Sequence, residues 1–384
     1  MNKKLIRITT VPMALRYLLP GQMRFMASHG FDVVMISADG KELPEVIANE
    51  QCRHIIVPMT RKITPLQDIK CLRQLIRIFK KEKPDIVHTH TPKAGLLGMM
   101  AARYCGIKVR IHTVAGLPLM VEKGFKYRLL KCTEKLTYSS ATQVWPNSHS
   151  LLTYIKQHRL CNEKKLKVIG KGSSNGIDTA RFNKDSLKEE ILQRIKASVN
   201  YNTADIYFLC VGRLVADKGI MELVNTFLQL QQQNSTIKLI LVGQYERMLD
   251  PLSQQTEQEI ETNSGIIHID WSHEVEYYMA IANYFVFPSH REGFPNVLLQ
   301  AGAMQLPILC SRIAGNIDIV THQQTGLIFD KGNEGQLQQA IEYVLSQPGE
   351  MKAMADKLYH IVQQDYQREN MWQQILITYR SLLN

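Results

Sequence analysis

At 384 residues the chain exceeds the ~250–300 over which one hydrophobic core keeps growing, so two domains are expected and a mini-protein or single repeat unit is excluded. Hydrophobic residues make up 45% and charged residues 21%, with no low-complexity tract, which excludes a disordered chain. The net charge of +11 favours an anionic partner and is unevenly placed: residues 1–183 hold 31 Lys and Arg against 12 Asp and Glu, residues 184–384 only 15 against 23.

Short β-branched or apolar runs at Leu5–Thr10, Asp32–Ser37, His54–Val57, Ile86–His90, Val109–Thr113 and Gln143–Pro146 alternate with helical patterns. That rhythm predicts βαβ units and a mostly parallel sheet covered on both faces. Between Pro65 and Glu82 a helix is predicted, with Ile69, Leu72, Ile76 and Phe79 on one side and Lys70, Arg73, Arg77, Lys80 and Lys81 largely on another. A second basic stretch holds Lys123, Lys126, Arg128, Lys131 and Lys135. The segment Gly170–Arg181 is rich in Gly and Ser and marks a boundary. The rhythm then restarts at Ile206–Gly212, Ile237–Gly243, Ile266–Asp270, Tyr284–Pro288, Ile308–Ser311 and Gly326–Asp330. A final helix over Gln367–Leu383 places Trp372, Ile375, Leu376, Tyr379 and Leu382 on one stripe. The fold class is therefore α/β, with two doubly wound domains in tandem.

No window reaches the ~18–20 apolar residues of a membrane span, and Arg7 interrupts the start that otherwise resembles a signal sequence, so a cytoplasmic chain is expected. The seven cysteines are scattered and odd in number, which predicts buried thiols instead of a disulfide framework or zinc site. His88 and His90 straddle Thr89, yet no Asp-x-Asp pair or carboxylate cluster completes a metal shell. No nucleophile elbow and no Gly-x-x-x-x-Gly-Lys loop is present.

Two stretches carry the chemistry. In Pro288-Ser289-His290-Arg291-Glu292-Gly293-Phe294-Pro295-Asn296-Val297 a strand ends and a helix begins, with Pro295 suited to the first helical turn. A helix N-terminus attracts phosphate, and Glu292 just before it can bind sugar hydroxyls. In Gly212-Arg213-Leu214-Val215-Ala216-Asp217-Lys218-Gly219 two cations stand five residues apart beyond a strand, as a departing diphosphate requires. Taken singly, each stretch is more simply a capped turn with a solvated acid or a pair of surface cations.

Together with Asp85–Gly95, Asn175–Phe182, Leu241-Val242-Gly243 and Thr325-Gly326-Leu327, these stretches resemble the retaining glycosyltransferases of family 4, and the resemblance covers nearly the whole chain. It implies the GT-B fold of two facing Rossmann-like domains: residues 1–170 for the acceptor, a linker over 171–183, residues 184–365 for the donor, and a helix over 366–384 packing back toward the first domain. It implies Arg213 and Lys218 on the donor diphosphate, Gly293 to Val297 at the phosphate-facing helix start, and Glu292 as the first acid of a two-glutamate motif. The second acid is here Gln300, whose amide meets ribose hydroxyls more weakly, by ~1 kcal/mol. Gly212, Gly243 and Trp271 complete the implied donor set, and Gly21, Gln22, Lys93 and Gly116 the acceptor set. Many relatives place a histidine where this chain has Ala115. His112, three residues earlier, is a candidate for catalysis but more simply a core histidine.

The Thr-Pro-Lys-Ala-Gly stretch and the Val11-Pro12 to Gly21-Gln22 loop look most like members that extend polyprenyl-diphosphate-linked sugars for surface polysaccharides. The resemblance thus implies a metal-independent, retaining transfer without cofactor from a nucleotide sugar, a uridine diphosphate N-acetylhexosamine included, to a lipid-linked acceptor. The basic first half suits an anionic inner membrane surface, where each cation contributes ~1 kcal/mol. A soluble polysaccharide or small-glycoside synthase is the nearest alternative, and a silent sugar-nucleotide binder another. A nucleic-acid-binding protein lacks its motifs here, so no nucleic acid is expected as a partner.

Overall fold

The computed structural model describes residues 2–248 and 250–384. The chain divides into two compact units, Met1–Gly176 with Arg368–Asn384, and Ile177–Gln367.

In the first unit, β1 (Lys3–Ile8), β2 (Phe31–Ser37), β3 (Arg53–Ile56), β4 (Ile86–His90), β5 (Val109–Val114) and β6 (Gln143–Pro146) form a parallel sheet in the order β3-β2-β1-β4-β5-β6. Helices α1 (Pro12–Leu18), α2 (Gln22–Ser28) and α3 (Leu43–Glu50) join the first three strands. Helix α4 (Pro65–Glu82) crosses from β3 to β4, α5 (Pro92–Tyr104) and α6 (Gly124–Ser140) join the strands that follow, and α7 (His149–Gln157) follows β6. Right-handed crossovers that reverse direction between β1 and β4 put α4 to α6 on the opposite face from α1 to α3. Helix α5 lies between α4 and α6.

The second unit begins with α8 (Glu189–Ser198) and repeats the plan. Strands β7 (Ile206–Val211), β8 (Ile237–Val242), β9 (Ile266–Ile269), β10 (Tyr284–Phe287), β11 (Ile308–Ser311) and β12 (Leu327–Phe329) run parallel in the order β12-β11-β10-β7-β8-β9. Between them lie α9 (Ile220–Gln233), α10 (Gln254–Thr262), α11 (Val275–Ile281), α12 (Asn296–Ala303) and α13 (Asn316–Ile319). Helices α14 (Glu334–Ser346) and α15 (Pro348–Asp365) end the unit, and α16 (Arg368–Leu383) belongs to the first one. The α/β architecture of two doubly wound sheets is thus the one the alternation of elements predicts. Strand ends differ by one or two residues: β1 starts at Lys3 and stops at Ile8, although Thr9 N still donates to Ile36 O at 3.0 Å.

Helix α16 buries Met371, Trp372, Ile375, Leu376 and Tyr379, so its apolar stripe is a packing face. The Trp372 ring leaves no room for a side chain at Gly21, where an added Cβ would lie 2.7 Å from it and φ is +80°. Two expectations need correction. Ile69 points to solvent, because the buried side of α4 is Cys71, Leu75 and Phe79, one helical face displaced from it. Cys132 is exposed on α6 and Cys105 and Cys161 are half-buried, so only four of the seven thiols are buried.

The centre of the first sheet holds a charge. Arg7 on β1 is fully buried, and its guanidinium meets Gln22 Oε1 at 2.6 Å, His90 Nε2 at 2.6 Å, His88 Nδ1 at 2.5 Å and the Tyr379 hydroxyl. Arginine only donates, so both rings must turn lone pairs toward it and are neutral. His88 then donates from Nε2 to Thr113 Oγ1 at 2.7 Å. Burial and the Arg7 charge push both histidines well below the ordinary value, and burial alone takes His112 and His54 to about 4.

A histidine whose pKa is depressed by folding binds its proton first in the unfolded chain. Stability is therefore complete above about 6.5 and falls with pH through the window down to each folded value, by about 1.4 kcal/mol per pH unit for each histidine. Glu134, raised to about 7 by burial, and Glu50, also raised by burial, act in the opposite sense but are two groups against four. Urea midpoints should fall steadily between pH 6.5 and 5, and His88→Gln, which keeps an acceptor, should make that slope shallower.

Candidate functional site

The strand C-terminal rim of the second unit is built by three loops in close register. After β7, Gly212 N donates to Val242 O at 2.9 Å and Leu214 N to Gln244 O at 2.9 Å, which zips the Arg213 loop to the loop after β8. Gly243 makes this approach possible: a Cβ there would lie 1.8 Å from Gly212 O. At the other end of the loop, Gly219 (φ +68°) has Pro288 O at 2.3 Å from the place of a Cβ, and His290 N donates to Asp217 O at 2.9 Å. The Arg213-to-Gly219 loop is thereby wedged between the loops after β8 and β10.

The wedge brings together residues 74 positions apart. Lys218 Nζ pairs with Glu292 Oε1, both side chains mostly buried, and Ser289 Oγ donates to the same oxygen at 3.2 Å. Lys218 also stands over the Phe287 ring, 5.6 Å from its centre. Beside them, Arg291 donates to Asp217 Oδ2 from Nε (3.0 Å) and Nη2 (2.6 Å), a second tie between the same two loops. Neither Asp217 nor Arg291 was singled out by sequence reasoning, since nothing in the spacing of an acid and a base on separate loops signals their pairing. Arg213 is more exposed and pairs with Glu246 of the loop after β8.

Helix α12 starts at Asn296 with Pro295 in the cap position, one residue earlier than the first-turn place expected for it, and no side chain caps the helix. Phe294 is buried against Tyr366, ring centres 5.7 Å apart, which fixes the entry into the helix. Gly293 lies on Gly315, where φ is +87° and a Cβ would be 2.7 Å from Gly293 O. Asn296 and Val297 form the first turn and Gln300 is half-buried on the second. Trp271 follows β9 by two residues, half-exposed, its ring edge-on to His273. The structure thus gathers Arg213, Lys218, Glu292 and the start of α12 on one rim. Chemically, that rim offers two cations and helix N–H groups to an anion, and a carboxylate to hydroxyls.

The first-unit candidates are placed differently. His112 is buried in mid-strand on β5, its Nδ1 2.9 Å from Thr89 Oγ1, and Gly95 is a glycine because a Cβ would sit 2.4 Å from that imidazole. It is a core histidine, away from the strand end. Gln22 is also sealed: its amide nitrogen donates to Ser174 O (3.1 Å) and Asn175 Oδ1 (2.9 Å) while its oxygen accepts from Arg7. Lys93 opens α5 but is held by Asp68 at 2.7 Å, by Thr60 and Thr64 at 3.2 Å each, and by Lys62 O. Gly116 lies in the loop after β5, half-exposed. Thr91, with a positive φ of 70°, latches the β4 loop to the β1 loop by accepting from Thr10 N at 3.1 Å, a contact the sequence does not announce. Among the described residues no group of three or more His, Cys, Asp or Glu is clustered for a metal ion, and no helix is long and apolar enough to cross a membrane.

Comparison with known proteins bears on this geometry. The family described as Glycosyl transferases group 1 matches residues 192–360, and that described as Glycosyl transferase 4-like matches residues 10–148. The capsular polysaccharide biosynthesis glycosyltransferase CapM of Staphylococcus aureus is 34% identical over 383 residues, 100% of this chain and 98% of that one. The chain belongs to the group 1, family 4-like glycosyltransferases. This glycosyltransferase is also 27% identical to the UDP-Gal:alpha-D-GlcNAc-diphosphoundecaprenol alpha-1,3-galactosyltransferase of Escherichia coli, over 80% of its own length and 79% of the relative's. A glycosyltransferase crystal structure from Rickettsia africae ESF-5 superposes with a TM-score of 0.83 at 18% identity, covering 100% of this chain and 99% of that one. The two Rossmann-like sheets of the glycosyltransferase are accordingly those of the GT-B fold.

Because Gly243 admits no Cβ, Gly243→Ala should destabilise the second unit by about 1–3 kcal/mol. Gly349→Ala, in a helical turn with nothing within 4 Å, should be neutral or slightly stabilising. Urea unfolding of the two variants makes the comparison.

Proposed function

We propose that this glycosyltransferase moves a sugar, with retention of anomeric configuration, from a uridine diphosphate donor to a polyprenyl-diphosphate-linked acceptor during capsular or other surface polysaccharide synthesis. The observation that carries the reading is the second unit's rim, which holds the Lys218–Glu292 pair, the uncapped start of α12 just after Glu292, and Arg213, paired with Glu246, on the adjoining loop. Donor binding exchanges carboxylate partners for phosphate ones: Arg213 leaves Glu246 and forks onto diphosphate oxygens, and Lys218 leaves Glu292 for the phosphate that departs. Negative charge grows on that phosphate as its bond to the sugar breaks, so both cations act most strongly in the transition state. Glu292, released from Lys218, accepts from hydroxyls of the donor sugar. Gly212, Gly243 and Gly293 let backbone approach the nucleotide, Trp271 borders it, and Gln300 meets the ribose through a neutral amide. The departing phosphate takes the proton of the acceptor hydroxyl on the same face, which requires no nucleophile from the protein and no metal.

On the acceptor side, Lys93 and the Gly116 loop follow strand C-termini of the first unit, the turn at Gly21 between α1 and α2 completes the acceptor set, and Lys93 exchanges Asp68 for the acceptor diphosphate. The names of the relatives support this reading: that of the E. coli protein specifies a diphosphoundecaprenol acceptor and a UDP-linked donor, and that of the S. aureus protein a capsular polysaccharide. The surplus of cations over residues 1–183 supports docking of the enzyme at the anionic inner face of the cell membrane, where each nearby cation contributes ~1 kcal/mol.

Incubating the enzyme with lipid-linked glycans and a panel of sugar nucleotides, and reading the mass gained, tests the activity; no gain with any donor counts against it. Arg213→Ala should lower kcat by about 10²-fold, as loss of one charge-stabilising donor does. Gln300→Glu should tighten nucleotide binding by roughly fivefold, about 1 kcal/mol, in a calorimetric titration.

A further inference from the structure

The outer surface of α6 is apolar where a solvated helix would be polar. Phe125 is 81% exposed, and Leu129, Cys132 and Leu136 follow it at steps of four, three and four residues, all exposed. At about 100° per residue these four fall within an arc of about 60°. The opposite face of the helix is the one that packs, through Glu134, Thr137 and Tyr138. Arg128, Lys131 and Lys135 line one flank of the stripe and Lys126 stands on the other. Across α5, the tip of α4 repeats the pattern: Ile63 and Leu66 are 69% and 80% exposed, with Arg73 and Arg77 behind them on the same outer face.

The segment that carries this face is one-sided in charge. Residues 61–140 contain 17 Lys and Arg but five Asp and Glu. Each of the five is already engaged: Asp68 with Lys93, Glu82 with Lys4 and Arg53, Asp85 with Lys3, Glu122 with Lys126, and Glu134 by burial. The N-termini of α4, α5 and α6 all follow strand C-termini, so Ile63, Leu66 and Phe125 stand at the same end of the sheet as Lys93.

We propose that the α6 stripe, with the α4 tip beside it, is inserted into the interfacial layer of an anionic bilayer, Phe125 and Leu66 among the acyl chains and the flanking cations at the phosphates. Apolar side chains flanked by cations on convex helices suit a lipid plane, in which each can be solvated separately, whereas a protein partner would need a complementary concave and acidic surface. Insertion holds the Lys93 end of the first unit at the depth of a lipid-borne diphosphate. This assignment rests on the lipid-linked acceptor proposed above and adds to the electrostatic docking an apolar contact that salt does not screen.

The exposed Cys132 supplies the probe. The protein carrying an environment-sensitive nitrobenzoxadiazole label there, with labelled Cys132→Ser as the background, is mixed with vesicles of phosphatidylglycerol and phosphatidylcholine. A blue shift with quenching by lipids brominated near the head group is expected. Flotation of Phe125→Ser/Leu129→Ser should fall by roughly tenfold or more, consistent with loss of two buried apolar side chains, and should fall in 0.5 M salt as well as in low salt. Flotation without a blue shift, no flotation at all, or a dimer in sedimentation that the double substitution dissolves would each overturn the insertion. The acceptor reading is scored separately, by transfer to lipid-linked glycans in detergent. The double variant should remain active there, and an inactive wild-type enzyme that still shows the blue shift would sink the acceptor and leave the stripe standing.

Discussion

The parallel run of all the strands in a sheet is the constraint on which the site depends. It places every loop that leaves the C-terminal end of a strand on one rim, whatever its distance along the chain. In the second unit the order β10-β7-β8-β9 makes the loops carrying Glu292, Arg213, Gly243 and Trp271 successive neighbours. Two glycines then let backbone touch backbone where any side chain would intervene, with the place of a Cβ 1.8 Å from Gly212 O at Gly243 and 2.3 Å from Pro288 O at Gly219. The ion pairs Lys218–Glu292 and Arg291–Asp217 are consequences of that approach: they hold loops that the sheet has already brought together.

The two units use arginine in opposite ways, and the difference lies in solvent access. Arg7 is sealed in the first sheet among neutral acceptors, where an anion has no route to it and where two histidines must give up their protons. Removing a partner there leaves a buried charge unsatisfied, which is costly. Arg213 is more than half exposed, and its partner is a carboxylate on a neighbouring loop. An exposed ion pair contributes little to stability, so exchanging the carboxylate for a phosphate costs little. The same side chain is a structural centre in one environment and a ligand-binding group in the other.

Much of this was open to the sequence alone. Twelve strands, the basic first half, the cations at 213 and 218, and the turn around Glu292 all follow from local patterns, because a buried parallel strand is a short apolar run and a helix start after Gly and Pro has its own signature. Burial of individual polar side chains was not open to it. His112, Gln22 and Lys93 stand in suggestive stretches, yet the first two are sealed in the core and the third is held by Asp68, because which face a polar residue takes is settled by what packs on it. Nor could periodicity tell the outward stripe of α6 from an inward one, since an apolar stripe looks alike on either side. The sequence by itself determined the elements, their order and the charge each half carries, all of which depend on neighbours along the chain. Only the tertiary structure decided which carboxylate each cation meets, which histidines lose their protons and which apolar stripe is left facing out, because those depend on contacts between residues tens to hundreds of positions apart.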